Sequence, residues 1–294
     1  LLALALAAGA CGGDKKSGGG DGSASGEPVE GGELRYGLEA ETSGGWCLAE
    51  SQLAAAGIQV ANAIYDPLTI PDGKGGYVPY LAKTLTHDPT FKVWTLTLHS
   101  GVTFHDGEPL TAKVVKDNLD AFRGVPGDHK RASLLFAFQL KNIIGVEVVN
   151  DLTVQITTQV PQPALPGMLY SSGRLGMMAP KQLNASPEDC ADDPIGTGPF
   201  KVTEFKPNDV ISMEANPNYR DPAKPAFATV TFKGGGDAAA AGRAVLETGE
   251  FDYAWNLQLA PDVLAGMEAA GKGKVINAFG TLVERIEMNM TDPS

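Results

Sequence analysis

The chain of 294 residues is short of most features that would name a function directly. It has three cysteines, too few for a disulfide scaffold. Beyond its first eleven residues no apolar run reaches the roughly 18 residues that span a bilayer. Positive charge is scarce: 23 Lys+Arg stand against 35 Asp+Glu, a net charge of −12. A nucleic-acid partner would need a basic face, and that class is set aside. The four histidines (His87, His99, His105, His129) form no HExxH and no close Cys/His set. They read as solvent-facing, and no metal or other cofactor is expected. No Gly-x-Ser-x-Gly, no GxGxxG and no acid–base pair at useful spacing is found. Gly234-Gly235-Gly236 lacks the Lys-Ser/Thr of a phosphate loop. An enzyme is not expected.

What is present begins with an address. Leu1 to Ala8 is a short apolar run, followed by Gly9-Ala10-Cys11. A short apolar segment ending in small residues reads as an export signal. Small residues before a cysteine resemble a bacterial lipobox, in which Cys11 takes the lipid. Gly12 to Gly32 then holds nine glycines and three serines in 21 residues. Such a segment cannot bury enough apolar surface to offset its ordering entropy, so it reads as a flexible tether. Cys47 and Cys190 remain. Outside the cytoplasm an even remainder invites a disulfide, worth up to about 5 kcal/mol for so long a loop; two buried free thiols are the alternative.

The rest alternates strands and helices, an α/β pattern. Strands are expected at Glu33–Leu38, Trp94–Leu98, Val146–Val148, Leu152–Ile156, Phe200 onward, Val210–Met213, Phe227–Phe232, Phe251–Trp255, Val275 and Ile286–Met288. Helices are expected over Leu48–Tyr65, ended by Pro67, over Ala112–Phe122 with Thr111 as N-cap, over Asp237–Thr248, stopped by Gly249, and after Pro261. Asp72 to Gly76 is a hairpin turn.

Two motif-length features stand out. One is Gly101-Val102-Thr103-Phe104-His105-Asp106-Gly107 with Pro109-Leu110-Thr111-Ala112. The other is Gly196-Thr197-Gly198-Pro199-Phe200, followed by Asn216 and Tyr219. With Gly249-Glu250-Phe251-Asp252, in this order and spacing, the chain from about Gly32 onward resembles the solute-binding proteins of peptide/nickel-type ABC importers. Val114 departs from the pattern, which usually has an acidic residue there.

The resemblance implies a bilobal, periplasmic-binding-protein-like α/β fold of the large peptide-binding variety. Its members run to about twice this length, so the chain reads as truncated, with the second lobe largely missing and an unpaired apolar face near its C-terminal segment. The implied division is a signal remnant (1–11), a tether (12–32), a main lobe split into 33–65 and 175–256, an inserted β-rich subdomain (66–174) and the start of a second lobe (257–294). The implied function is a lipid-anchored, extracytoplasmic, monomeric binding subunit. It would capture peptides or similar small solutes for an ABC permease and its ATPase, touching the membrane only through its anchor. Nickel, haem and oligosaccharide ligands are alternatives within the family. An exported hydrolase or a structural envelope lipoprotein are alternatives outside it. By position the ligand contacts fall at Glu41, Thr42, Ser43 and Trp46 after the first strand, and at Trp255 and Asn256 on the hinge strand. Glu41 would meet an amino terminus, unless it is only an exposed loop carboxylate. Trp255 would wall the cleft, unless it and Tyr253 are core aromatics.

Overall fold

The computed structural model describes residues 30–38, 45–131, 133, 135–207, 209–222, 224–234, 236–255 and 259–276. The expected leader, Cys11, most of the tether and the strand at Ile286–Met288 lie outside the described residues. Strand β1 (Glu33–Gly37) is followed by helix α1 (Ala55–Ile64), strands β2 (Thr69–Pro71), β3 (Tyr77–Pro79), β4 (Ala82–His87) and β5 (Val93–Leu98), and helices α2 (Ala112–Arg123) and α3 (Leu135–Gln139). Then come β6 (Ile143–Asn150), β7 (Thr153–Thr158), and α4 (Leu165–Tyr170), α5 (Pro180–Leu183) and α6 (Pro187–Asp192). The chain closes with β8 (Phe200–Lys206), β9 (Val210–Ala215), β10 (Thr229–Lys233), α7 (Ala238–Arg243), β11 (Tyr253–Ala254) and α8 (Pro261–Glu268).

These strands make a five-stranded sheet ordered β11-β1-β10-β9-β8, a four-stranded sheet ordered β4-β5-β7-β6, and the β2-β3 hairpin. In the four-stranded sheet, period-2 alternation turns Trp94, Leu96, Leu98, Val154 and Ile156 inward. Helix α2 packs against β6 and β7. Its Thr111 cap accepts the Val114 N–H at 3.4 Å, and Gly124 ends it with φ 68°. Asn118, fully buried on α2, donates to the Val114 and Met178 carbonyls and accepts the Met178 N–H, each at 2.9 Å. That exchange fastens the helix to the segment returning toward the five-stranded sheet.

Several boundaries differ from expectation, each for an identifiable physical reason. The helix expected from Leu48 starts only at Ala55. Cys47 is held by a disulfide to Cys190, 143 residues away, and its carbonyl already accepts the Glu50 and Ser51 N–H groups in a closed turn. The Ala-rich helix runs as α-helix to Arg243 and as a π-turn over Ala244–Thr248, with Gly249 at φ 72° stopping it. The strand expected from Phe251 shrinks to Tyr253–Ala254, because the Phe251 N–H goes back to the Ala244 carbonyl. Val275 forms no strand; its N–H bonds the Glu268 carboxylate at 2.6 Å.

The motif residues converge on the end of α1. The Gly198 N–H donates to the Ile64 carbonyl at 2.8 Å, and a Cβ at Gly196 would collide with that same carbonyl. His105 is not solvent-facing, because the polar backbone around it consumes both ring nitrogens. Its Nε2 meets the Gly198 carbonyl at 3.0 Å, and its Nδ1 faces the Gly196 N–H at 3.4 Å. Only the neutral Nε2–H tautomer serves both, and a proton on Nδ1 would oppose the Gly196 donor. Asn216 donates to the Gly198 carbonyl at 3.0 Å. Next to Ile64 and Tyr65 lies Asp66, which is 2% exposed. It accepts the Tyr219 hydroxyl at 3.2 Å and pairs with Arg220 at 3.4 Å, while Arg220 lies 4.0 Å over the Tyr80 ring.

Two outcomes are expected. Removing the disulfide with Cys47→Ala/Cys190→Ala should cost about 5 kcal/mol by loop entropy in urea denaturation; a loss under about 1 kcal/mol would refute a stabilising role. The second concerns pH. Burial pushes Asp66 up to about 6 from 3.8, against the pull of Arg220, and pushes His105 down to about 4 from 6.5. Between about pH 4 and 6, native Asp66 keeps a proton the unfolded chain has lost, while native His105 lacks one the unfolded chain carries. The two contributions cancel there. Asp66→Asn leaves the His105 contribution alone, so stability should rise with pH in this window by roughly 1 kcal/mol per unit. His105→Gln leaves that of Asp66, so stability should fall with rising pH by a similar amount. Denaturation of both variants at three pH values checks this, and slopes of the same sign would sink it.

Candidate functional site

Strand β1 is the pivot of the five-stranded sheet. It pairs in parallel with β10 on one side and with β11 on the other, in registers that place Gly37 beside both Lys233 and Ala254. Three parallel strands therefore end at one sheet edge, and α7 carries the chain from β10 across to β11 over β1. Ligands of open α/β sheets bind beyond such carboxyl ends, where the connections diverge. The segments leaving this edge follow Leu38, Lys233 and Ala254.

The pieces are held there by the Gly249-Glu250-Phe251-Asp252 residues. The Arg35 guanidinium grips the Asp252 carboxylate through two bonds, at 2.8 and 3.1 Å, and the Arg35 N–H adds a third at 2.8 Å. This hydrogen bonding holds the Asp252 carboxyl below the usual range. Gly37 has no side chain because the Phe251 ring occupies that space: a Cβ would lie 2.6 Å from it. Ionic grip and close packing together seat β11 against β1.

Of the residues nominated from sequence, Glu41, Thr42, Ser43 and Asn256 lie outside the described residues. The strands that feed them are neighbours in register, although Gly37 and Ala254 are far apart in the chain. Trp255 is half-buried and packs against the core, while Tyr253 is 48% exposed with its ring 4.9 Å from Tyr36. Tyr253 is thus a surface aromatic at this edge. Trp46 is 1% exposed, edge-on to Phe205 at 5.9 Å. Its N–H bonds the Ala191 carbonyl at 2.9 Å, and its carbonyl accepts Tyr65 Oη at 3.1 Å and Gln182 Nε2 at 3.2 Å. With the Cys47–Cys190 bond these contacts fix the far end of the segment that leaves β1. Sequence reasoning missed the third strand end, Gly234 to Gly236; its signal was the parallel pairing of β10 with β1, which no local pattern reveals. Among the described residues Tyr253, Val263 and Ile276 are exposed apolar side chains.

Among the described residues no group of three or more His, Cys, Asp or Glu is placed to hold a metal ion. No helix among them is long and apolar enough to cross a membrane. Two surface depressions, of about 420 and 290 Å³, are lined by Lys181, Gln182 and Asp193 and by His99, Val102 and Arg220. Neither is lined by the three strand ends.

Comparison with known proteins agrees with this architecture. Residues 76–294 match the model of bacterial extracellular solute-binding proteins, family 5. The glutathione-binding protein GsiB of Salmonella paratyphi A is 29% identical over 233 residues, 79% of this chain and 44% of that protein. The nickel-binding periplasmic protein of Escherichia coli is 33% identical over 192 residues, 64% of this chain and 35% of that protein. The structure of the oligopeptide-binding protein AppA from Bacillus subtilis, in complex with a nonapeptide, superposes with a TM-score of 0.63 at 26% identity, covering 76% of this chain and 44% of that one. The chain thus spans less than half the length of these relatives, and its mixed α/β fold is that of the bilobal periplasmic binding proteins. By the family model, the shared fold and the motifs that build it, the chain belongs to the bacterial extracellular solute-binding proteins, family 5.

Proposed function

We propose that this chain is part of a lipid-anchored, extracytoplasmic receptor that captures peptides or similar small solutes and delivers them to an ABC permease and its ATPase. The observation that carries it is the convergence of three parallel strand ends, β11, β1 and β10, on one sheet edge. Each supplies a segment at the place where such sheets take ligands. In this reading 33–65 and 175–256 form one lobe, 66–174 is an insert on it, and 257–294 opens a second lobe that closes by a hinge over the solute. Glu41 and Thr42 meet the solute from the end of β1. Trp255 walls the cleft, and Asn256 pairs with a peptide backbone, donating and accepting. Trp46 contributes from beneath, by fixing the end of the first segment. Cys11 carries the lipid, and the Gly/Ser tether gives the receptor reach from the membrane. The receptor works as a monomer.

Peptides are favoured because two of the similar proteins are named for peptide ligands, glutathione and a nonapeptide. Calorimetry of the full-length protein with glutathione, di- to pentapeptides and a nickel chelate tests the reading. Peptide binding is expected, and a chelate-only response would move the protein to the nickel branch. Silence toward every probe would overturn the receptor reading. Glu41→Gln should weaken peptides with a free amino terminus by about tenfold, or about 1.4 kcal/mol, and leave N-acetylated peptides unchanged. Equal losses for both peptide forms would remove Glu41 from that role.

A further inference from the structure

The two sulfurs of the Cys47–Cys190 bond have unlike surroundings. Cys47 lies in the core, and a buried cation faces it: the Arg131 guanidinium brings Nη1 to 3.8 Å from Cys47 Sγ. The same Nη1 donates to the Glu50 carboxylate at 3.0 Å, and Nη2 donates to the Ala185 carbonyl at 2.8 Å. The Arg131 side chain is 3% exposed while that of Glu50 is 36% exposed, so water screens much of the carboxylate's hold on the cation. Arg131 Nε is buried with no hydrogen-bond partner among the described residues. A buried cation so incompletely matched favours an anion beside it.

Cys190 sits on α6, a surface helix of six residues in which it is the one buried residue. Apart from the sulfur bridge, this helix and its flanks are tied by the Trp46 N–H to the Ala191 carbonyl at 2.9 Å, by Gln182 Nε2 to the Cys190 carbonyl at 2.8 Å, and by an exposed Lys181–Asp193 ion pair. So small a surface unit opens at far lower cost than the whole domain. The depression of about 420 Å³ lined by Lys181, Gln182, Ala185, Asp189 and Asp193 lies against it. Cys47 has no such freedom, because the neighbouring Trp46 carbonyl is held by Tyr65 Oη and Gln182 Nε2 inside the core.

We infer that the Cys47–Cys190 bond is a redox-sensitive clasp with a fixed polarity: a small thiolate attacks at Cys190, and Cys47 leaves as a thiolate held by Arg131. In this step the incoming RS⁻ bonds to Cys190 Sγ, the Cys47–Cys190 bond breaks, and its electron pair stays on Cys47. A second thiolate then attacks the incoming sulfur, giving RSSR, and Cys190 departs as a thiolate that takes a proton from water. Two electrons pass from the small thiols to the protein. A cation that stabilises the reduced form makes a disulfide easier to reduce. Reduction removes the covalent tie of α6 and leaves the core anchored.

The test equilibrates the full-length protein in mixtures of 2-mercaptoethanol and its disulfide, since glutathione is itself a candidate solute. Alkylation and mass spectrometry read each cysteine. Mixed disulfide is expected on Cys190 and not on Cys47. After reduction, hydrogen exchange should quicken over residues 186–193 and stay slow in α1. In Cys11→Ser/Cys190→Ser, which of the three cysteines leaves only Cys47, thiolate absorbance should rise below about pH 8.5, the midpoint of a free thiol. Arg131→Gln should make the disulfide at least about tenfold harder to reduce, and Glu50→Gln, which removes the competing carboxylate, should make it easier. If Arg131→Gln does not fold, Glu50→Gln alone decides. Mixed disulfide on Cys47, a Cys47 thiol that ionises at or above about pH 8.5, or a reduction equilibrium that the folded variants leave unmoved overturns the inference. Fast exchange throughout α1 after reduction also overturns it, because the bond is then a brace of the whole fold.

Discussion

Everything in the five-stranded half of the molecule depends on how closely the Gly196–Gly198 turn approaches the last turn of α1. The Ile64 carbonyl sits at the helix end, where intrahelical donors run out, and it needs a partner. The Gly198 N–H supplies one at 2.8 Å. Backbone can come that near to backbone only where no Cβ intervenes, which explains glycine at both 196 and 198. The approach buries further polar groups of the turn, and each unpaired one would cost about 1–3 kcal/mol. His105 and Asn216 arrive from separate parts of the chain to meet them. The first motif and the second are therefore one structure: the histidine of one satisfies the glycine turn of the other.

The same helix end reaches the candidate site through Tyr65. Its hydroxyl donates to the Trp46 carbonyl at 3.1 Å, and Gln182 bonds both, while also donating to the Cys190 carbonyl and accepting the Ile195 N–H. This buried network joins the glycine turn, the disulfide and the segment beyond β1. The residues that lock the fold and the residues that would touch a solute are thus linked by rigid connections. One end of the 39–44 segment hangs from the sheet at Leu38, and the other is pinned at Trp46.

Strands β1 and β5 to β10, the Thr111 cap, the hairpin turn and the Gly249 stop were legible in sequence because each rests on a local rule of period, cap or turn. The boundary at Ala55 was not, because a disulfide to residue 190 decides it. His105 read as exposed because nothing beside it in sequence explains its burial; its partners lie 91 and 93 residues away. Trp46, expected as a ligand contact, has its side chain turned inward against Phe205, a contact made across 159 residues. The order of β11, β1 and β10 is likewise non-local, so the sheet edge that gathers the candidate contacts emerges only in three dimensions.

This difference has a physical basis that bears on how the cargo is chosen. Motifs are readable where close packing leaves one acceptable residue, as at Gly196 or Gly198, and such positions build the fold. A position that selects cargo must be one the fold leaves free, since a residue demanded by packing cannot be changed to suit a new ligand. The proteins similar to this chain are named for glutathione and an oligopeptide, both peptides, and for nickel, a metal ion. A common fold can serve all of them only if its lock and its selector are different residues. Under the proposed reading the lock is at the end of α1, and the carboxyl edge of β11, β1 and β10 is where selection would vary.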